Sequence, residues 1–70
     1  MFYISSWRLY TEKASEIINE ALDKGQIALN DTVWGGPSGD LVIGDNFTAE
    51  EEEEYADYVD RGTVEEYLNS

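Results

Sequence analysis

Residues 48–70 read T-A-E-E-E-E-E-Y-A-D-Y-V-D-R-G-T-V-E-E-Y-L-N-S, and the folding of this stretch decides the architecture. Five consecutive glutamates at 50–54 lead into Tyr55, Asp57, Tyr58, Val59 and Asp60, with Arg61 the one base among them. Thr48-Ala49-Glu50-Glu51 has the form of a capping box, in which the threonine hydroxyl and the Glu51 carboxylate each bond the other's backbone amide. Tyr55, Tyr58 and Val59 follow at i, i+3 and i+4, the spacing of one helix edge. Gly62 interrupts, and Thr63-Val64-Glu65-Glu66 repeats the capping box ahead of Tyr67 and Leu68. The pattern predicts a helix over 48–61, a glycine break and a short second helix.

Working outward, residues 40–47 (D-L-V-I-G-D-N-F) read as a short strand centred on Leu41, Val42 and Ile43. Residues 26–34 (Q-I-A-L-N-D-T-V-W) offer Ile27, Leu29 and Val33 on one strand face. Between them lies G-G-P-S-G at 35–39, so the two strands form a hairpin. That loop lacks the lysine of a phosphate cradle and opens no helix, which leaves it a turn. Residues 11–24 carry Ala14, Ile17, Ile18, Ala21 and Leu22 as one apolar stripe. Thr11 is the expected cap, Glu12 lies in the first turn, and Lys24 with Gly25 ends the helix. Residues 2–9 (F-Y-I-S-S-W-R-L) read as a strand. A rival reading starts the helix earlier, because Trp7, Tyr10, Ala14, Ile17 and Ala21 are spaced 3-4-3-4.

The sum is a single α+β domain over 1–70. A small antiparallel sheet of about three strands carries two main helices on one face, in the order β-α-β-β-α plus a short C-terminal helix. Apolar residues at 41% and aromatics at 13% are too many for a disordered chain. No run approaches eighteen apolar residues, and the N-terminus Met1-Phe2-Tyr3-Ile4 lacks a basic region and a long apolar run. Neither a membrane span nor a signal peptide is therefore expected. With no cysteine there is no disulfide framework, and a reducing cytoplasmic setting is expected, as monomer or homodimer.

Charge is the feature that departs from an ordinary small domain. Sixteen acids against four bases give a net −12. Residues 1–30 hold four acids and three bases, net −1, whereas residues 31–70 hold twelve acids and one base, net −11. Such a balance repels nucleic acid and anionic membrane and favours a basic partner.

The chain is poor in catalytic parts. It has no histidine and no cysteine, so the usual proton shuttle, thiol nucleophile and zinc ligands are missing. A run of solvated glutamates is the opposite of the apolar pocket that raises a carboxyl pKa for acid–base work. Residues 40–51 do not follow the ligand spacing of an EF-hand. No catalytic residue, cofactor or specific metal site is expected.

Surface recognition is the chemistry that is left. On the predicted helix Glu50, Glu53, Glu54, Asp57 and Asp60 share one face, about 5–6 Å apart in succession, with Glu65 and Glu66 beyond the turn. Phosphates along a DNA strand repeat on a similar scale, and a duplex carries about one charge per 1.7 Å of axis. Three uses of that face are open: imitation of phosphates, docking on some other basic protein surface, and plain solubility. Like charges at i and i+4 cost a helix about 0.2–0.5 kcal/mol per pair. The helix at 11–24 intersperses lysine as a merely solvated helix does, and that contrast favours the first use.

Small size, extreme acidity and the ordered acidic segments E-E-E-E-E-Y-A-D-Y-V-D and T-V-E-E-Y resemble, in type, the small DNA-mimic inhibitors of phages and mobile elements. Those include anti-restriction proteins, some anti-CRISPR proteins and inhibitors of uracil-DNA glycosylase. The resemblance covers about a third of the chain. Because such families share no fold or signature, it transfers no residue role. It implies a basic DNA-binding protein of a bacterial host as partner, blocked by occupancy, with no direct contact to nucleic acid.

Overall fold

Among the described residues the backbone hydrogen-bond pattern gives eight short elements around one antiparallel sheet. The computed structural model describes residues 1–69. In order they are β1 (Phe2–Ile4), α1 (Ser6–Thr11), α2 (Ala14–Asp23), β2 (Thr32–Gly35), β3 (Leu41–Ile43), α3 (Ala49–Glu54), β4 (Val59–Thr63) and α4 (Val64–Leu68). The sheet order is β1-β3-β2-β4, with every neighbouring pair antiparallel. The α+β class and the antiparallel sheet agree with the expectation. The sheet has four strands rather than about three, and one further short helix, α1, joins the two main helices and the short C-terminal one that were expected. No helix among the described residues is long and apolar enough to cross a membrane.

The main core forms on one sheet face. Cross-strand pairs Phe2–Ile43 and Val33–Ile43 put alternate residues of three strands on that side. Ile4, Val33 and Ile43 there meet Ile17, Ile18 and Ala21 of α2 and Val64 of α4, all 1% exposed or less. Each isoleucine removed from water in this way contributes about 1.5–3 kcal/mol. The α2 stripe lies where its 3.6-residue period put it. Its C-terminus closes as a Schellman motif: Gly25 takes φ 70°, the Gln26 amide bonds Ala21 O at 2.9 Å, and the Gly25 amide bonds Leu22 O at 3.1 Å.

Three boundaries differ from the sequence reading, each for a local reason. The expected strand over 2–9 stops at Ile4, because Ser5 caps a helix instead, its Oγ accepting the Arg8 amide at 3.2 Å. The rival early start is half right: α1 is helical, but Glu12 and Lys13 are extended and separate it from α2. Thr11 caps nothing; its hydroxyl donates to Arg8 O at 3.1 Å. The expected strand over 26–34 begins only at Thr32. Ahead of it, the Asp31 carboxylate folds back to accept the Ala28 amide at 2.9 Å.

The largest correction falls on residues 48–61, which are not one helix. The Thr48–Glu51 capping box forms on both arms, yet α3 ends at Glu54, and Val59–Thr63 becomes the edge strand β4, paired with β2. Two effects explain the switch. Continuing the helix would stack Asp57 on Glu53 and Glu54, adding like-charge pairs with no lysine to relieve them. Leaving it lets Tyr55 and Tyr58 cover the sheet while the following backbone satisfies the open side of β2. Gly62, at φ 92°, sits where β4 carries one residue more than β2 between Trp34 and Thr32, a bulge suited to glycine. The second capping box then opens α4 as expected. α3 and α2 consequently lie against opposite faces of the sheet, not the same one.

Candidate functional site

The reverse face of the sheet carries Tyr3, Val42 and Trp34 in one cross-strand row, and Asp60 continues that row into β4. Phe47, Tyr55 and Tyr58 cover it. Trp34 and Phe47 meet edge-to-face at 5.8 Å between centroids, Phe47 and Tyr55 are 6.2 Å apart, and Tyr55 meets Tyr58 edge-on at 4.9 Å. Such tilted pairs are the favourable arrangements of aromatic quadrupoles. Trp34 is held in place by its indole N–H, which donates to Gly44 O at 3.0 Å. Tyr55 and Tyr58 thus turn toward the sheet, while Glu50, Glu53 and Glu54 of α3 are exposed and Glu51 and Glu52 lie beside the rings.

Beneath this layer sits Asp40, a carboxylate 5% exposed. Its Oδ2 accepts the phenol of Tyr3 at 2.9 Å and the phenol of Tyr58, while Oδ1 has no hydrogen-bond partner among the described residues. Two neutral donors on one buried carboxylate are a compact way to hold that charge. The effect is visible on the phenols. The hydrogen bond to Asp40 raises the Tyr3 pKa above its ordinary value; burial, and then the same carboxylate, push Tyr58 far up.

The predicted acidic residues are exposed but are not one helical row. Glu50, Glu53 and Glu54 stand on α3, whereas Asp57 lies in the turn after it and Asp60 on β4. Glu65 and Glu66 stand on α4, which packs on the opposite side of the sheet through Val64 and Leu68. The acids therefore wrap around the β4 edge. Two of them also have local work: Asp60 accepts the Gly62 amide at 2.7 Å, and Glu66 closes the second capping box. Bonding from the Thr63 amide and hydroxyl holds the Glu66 carboxyl below its usual range.

Base pairing of the acids follows the same division. Among the described residues the ion pairs are Arg8–Glu12 at 3.0 Å and Lys24–Glu20 at 2.8 Å, both in the N-terminal half. None of the seven predicted residues joins an ion pair among the described residues. Arg61 packs over Gly35, its Nε 2.8 Å from the position a Cβ would take there. No three or more carboxylates among the described residues are grouped to hold a metal ion.

Sequence reasoning missed the cleft that this arrangement creates. Trp34, Phe47, Tyr55, Tyr58 and Ala56 line an opening of about 250 Å³ with Glu51 and Glu52 at its side. The signal that was available is an excess of aromatics just before and after a glutamate run, which helical spacing assigned to a helix edge. Comparison with protein families, curated proteins and solved structures returns no match for this chain.

Proposed function

We propose that this protein is an acidic DNA mimic that occupies the DNA-binding groove of a host nucleic-acid-binding protein, such as a CRISPR effector or restriction enzyme. It acts by steric and electrostatic occupancy in the bacterial cytoplasm, without turnover. The observation that carries the reading is the contrast in charge pairing. Arg8 and Lys24 of the N-terminal half are neutralised by their own glutamates, whereas Glu50, Glu53, Glu54, Asp57, Asp60, Glu65 and Glu66 are exposed and join no ion pair among the described residues. Exposed carboxylates without bases raise the self-repulsion of the fold and are compensated when a basic surface arrives. Complementary fields also speed that encounter, and the effect fades as salt screens them.

Glu50, Glu53, Glu54, Asp57 and Asp60 are the residues assigned to the partner's phosphate-gripping side chains, with Glu65 and Glu66 beyond the sheet edge. Glu53→Lys combined with Asp57→Lys is expected to abolish capture of the partner and leave the circular dichroism spectrum unchanged. Retained capture at moderate salt contradicts the assignment.

A second reading has an observation in its favour. The acids are split between the two sides of the sheet rather than aligned on one helix. A basic protein surface that is not a DNA groove would engage either group, as for an antitoxin or a regulator. In that case partner and DNA bind together without mutual loss.

A further inference from the structure

We propose that the aromatic cleft beside α3 receives the guanidinium of one arginine side chain from the basic partner. The proposal rests on the reading of a basic partner given above and adds the place where that partner is anchored.

Three observations carry it. The walls are of the right chemistry: Trp34, Phe47, Tyr55 and Tyr58 present π-systems in different planes, with 77° between Trp34 and Phe47 and 72° between Tyr55 and Tyr58. A cation within about 6 Å of such rings is attracted by their quadrupoles, tryptophan most strongly. The size is right as well. At about 250 Å³ the cleft falls below the roughly 300–1,000 Å³ of sites that bury a drug-sized ligand, and it suits a single side chain.

The charge is the third. Glu51 and Glu52 flank the rings, and the Glu52 carboxylate has no hydrogen bond or ion pair among the described residues. Burial first, and then the fields of Glu54, Glu51 and Asp40, raise the pKa of the Tyr55 phenol, so it stays neutral beside those carboxylates. An anion is excluded from it, and a neutral apolar group would waste the carboxylates. Arginine is favoured over lysine because its guanidinium is planar, stacks on aromatic faces and is more weakly hydrated. It is also the side chain that grips phosphates bidentately, and so the one a DNA-binding groove already exposes.

The two tryptophans make the test direct. Trp7 is 77% exposed on α1 and takes no part in the cleft, so Trp7→Phe leaves Trp34 as the sole indole reporter. In that background the folded protein is titrated with a short glycine-flanked arginine peptide, the same peptide with citrulline, and the same with lysine. Trp34 fluorescence and its indole N–H resonance are followed. The expected result is a saturable Trp34 response to the arginine peptide, a weaker one to lysine and none to citrulline. Tyr55→Leu should weaken arginine binding about threefold to thirtyfold, as the loss of one cation–π partner implies.

Glu52→Gln, at an exposed position that no core residue depends on, should weaken it while leaving the fold intact. Arginine binding without a Trp34 response overturns the cleft, as does an equal response to citrulline. An equal response to lysine overturns the guanidinium assignment. Loss of partner capture in Glu53→Lys/Asp57→Lys with no effect of Tyr55→Leu would reject the cleft and keep the acidic surface. An arginine response at Trp34 from a protein whose partner still binds DNA would keep the cleft and reject the mimicry.

Discussion

On one face of the sheet Ile4, Val33 and Ile43 meet Ile17 and Ile18 in an aliphatic layer almost closed to water. On the other, Tyr3, Trp34, Tyr55 and Tyr58 stay partly open around the Asp40 carboxylate. The first layer is held by area removed from water, so its strength scales with methyl and methylene groups. The second is held by a few directed bonds and edge-on rings, so its strength depends on single atoms and on pH. The closed face lets a 70-residue chain fold despite a net charge of −12.

The comparison breaks most severely at the closed face. Ile18→Ala, at a position fully shielded from water, is expected to cost about 2–5 kcal/mol. A domain of this size has a net stability of about 0.05–0.15 kcal/mol per residue, so that loss takes much of it. Urea unfolding followed by far-ultraviolet circular dichroism measures it. A cost near zero would mean that α2 does not anchor the fold.

The reverse face should respond to smaller chemical changes. Gly36→Ala would drive a Cβ into Asp40 Oδ1 and to 2.7 Å from the Tyr58 ring, and overpacking of this kind costs about 1–3 kcal/mol. Tyr58→Phe removes one of the two phenols on the buried carboxylate, for a loss of similar size. Chemical denaturation of both variants at neutral pH checks these values.

The same phenols give the face a pH signature. Tyr3, Tyr55 and Tyr58 all hold their protons more tightly in the folded chain, Tyr58 most of all. Above about pH 10 the unfolded chain releases protons that the native one retains. Unfolding then releases protons, and stability falls as pH rises. The contribution is fully present below that pH. Tyr58→Phe should flatten the alkaline slope, with Tyr3, Tyr55 and Asp40 the neighbours whose charges bear on it. An unchanged slope would remove Tyr58 from the account.

How much of this was legible in the sequence depends on whether the cause is local. The α2 stripe, the Gly25 stop, the hairpin turn and both capping boxes are set by residues within a few positions of one another, and each appears where its pattern put it. β4 is not of that kind. Tyr58 and Val59 at i+3 and i+4 from Tyr55 satisfy a helical template, and what overrides it lies elsewhere in the chain: the Asp40 carboxylate and the open edge of β2. Asp40 itself looks like a turn residue beside a glycine-rich loop, and only the fold brings Tyr3 and Tyr58 to it, 37 and 18 positions away. The acids at 50–66 were legible as exposed but not as divided, because their division follows from β4.

The smallest effect is expected on α1. Trp7 and Tyr10 are 77% and 86% exposed, with ring centroids 6.3 Å apart. Replacing both by serine should change stability by no more than about 0.5 kcal/mol, as at surface positions generally. A larger loss in thermal unfolding would show that this pair belongs with the two layers.

The central claim is that the unpaired acids of residues 50–66 stand in for phosphates. It is tested most directly by titrating duplex DNA into the complex with the captured basic partner, at fixed low salt. The account predicts stoichiometric mutual exclusion, with duplex DNA releasing the protein and the protein releasing duplex DNA. A ternary complex in which both stay bound without loss of affinity would contradict it.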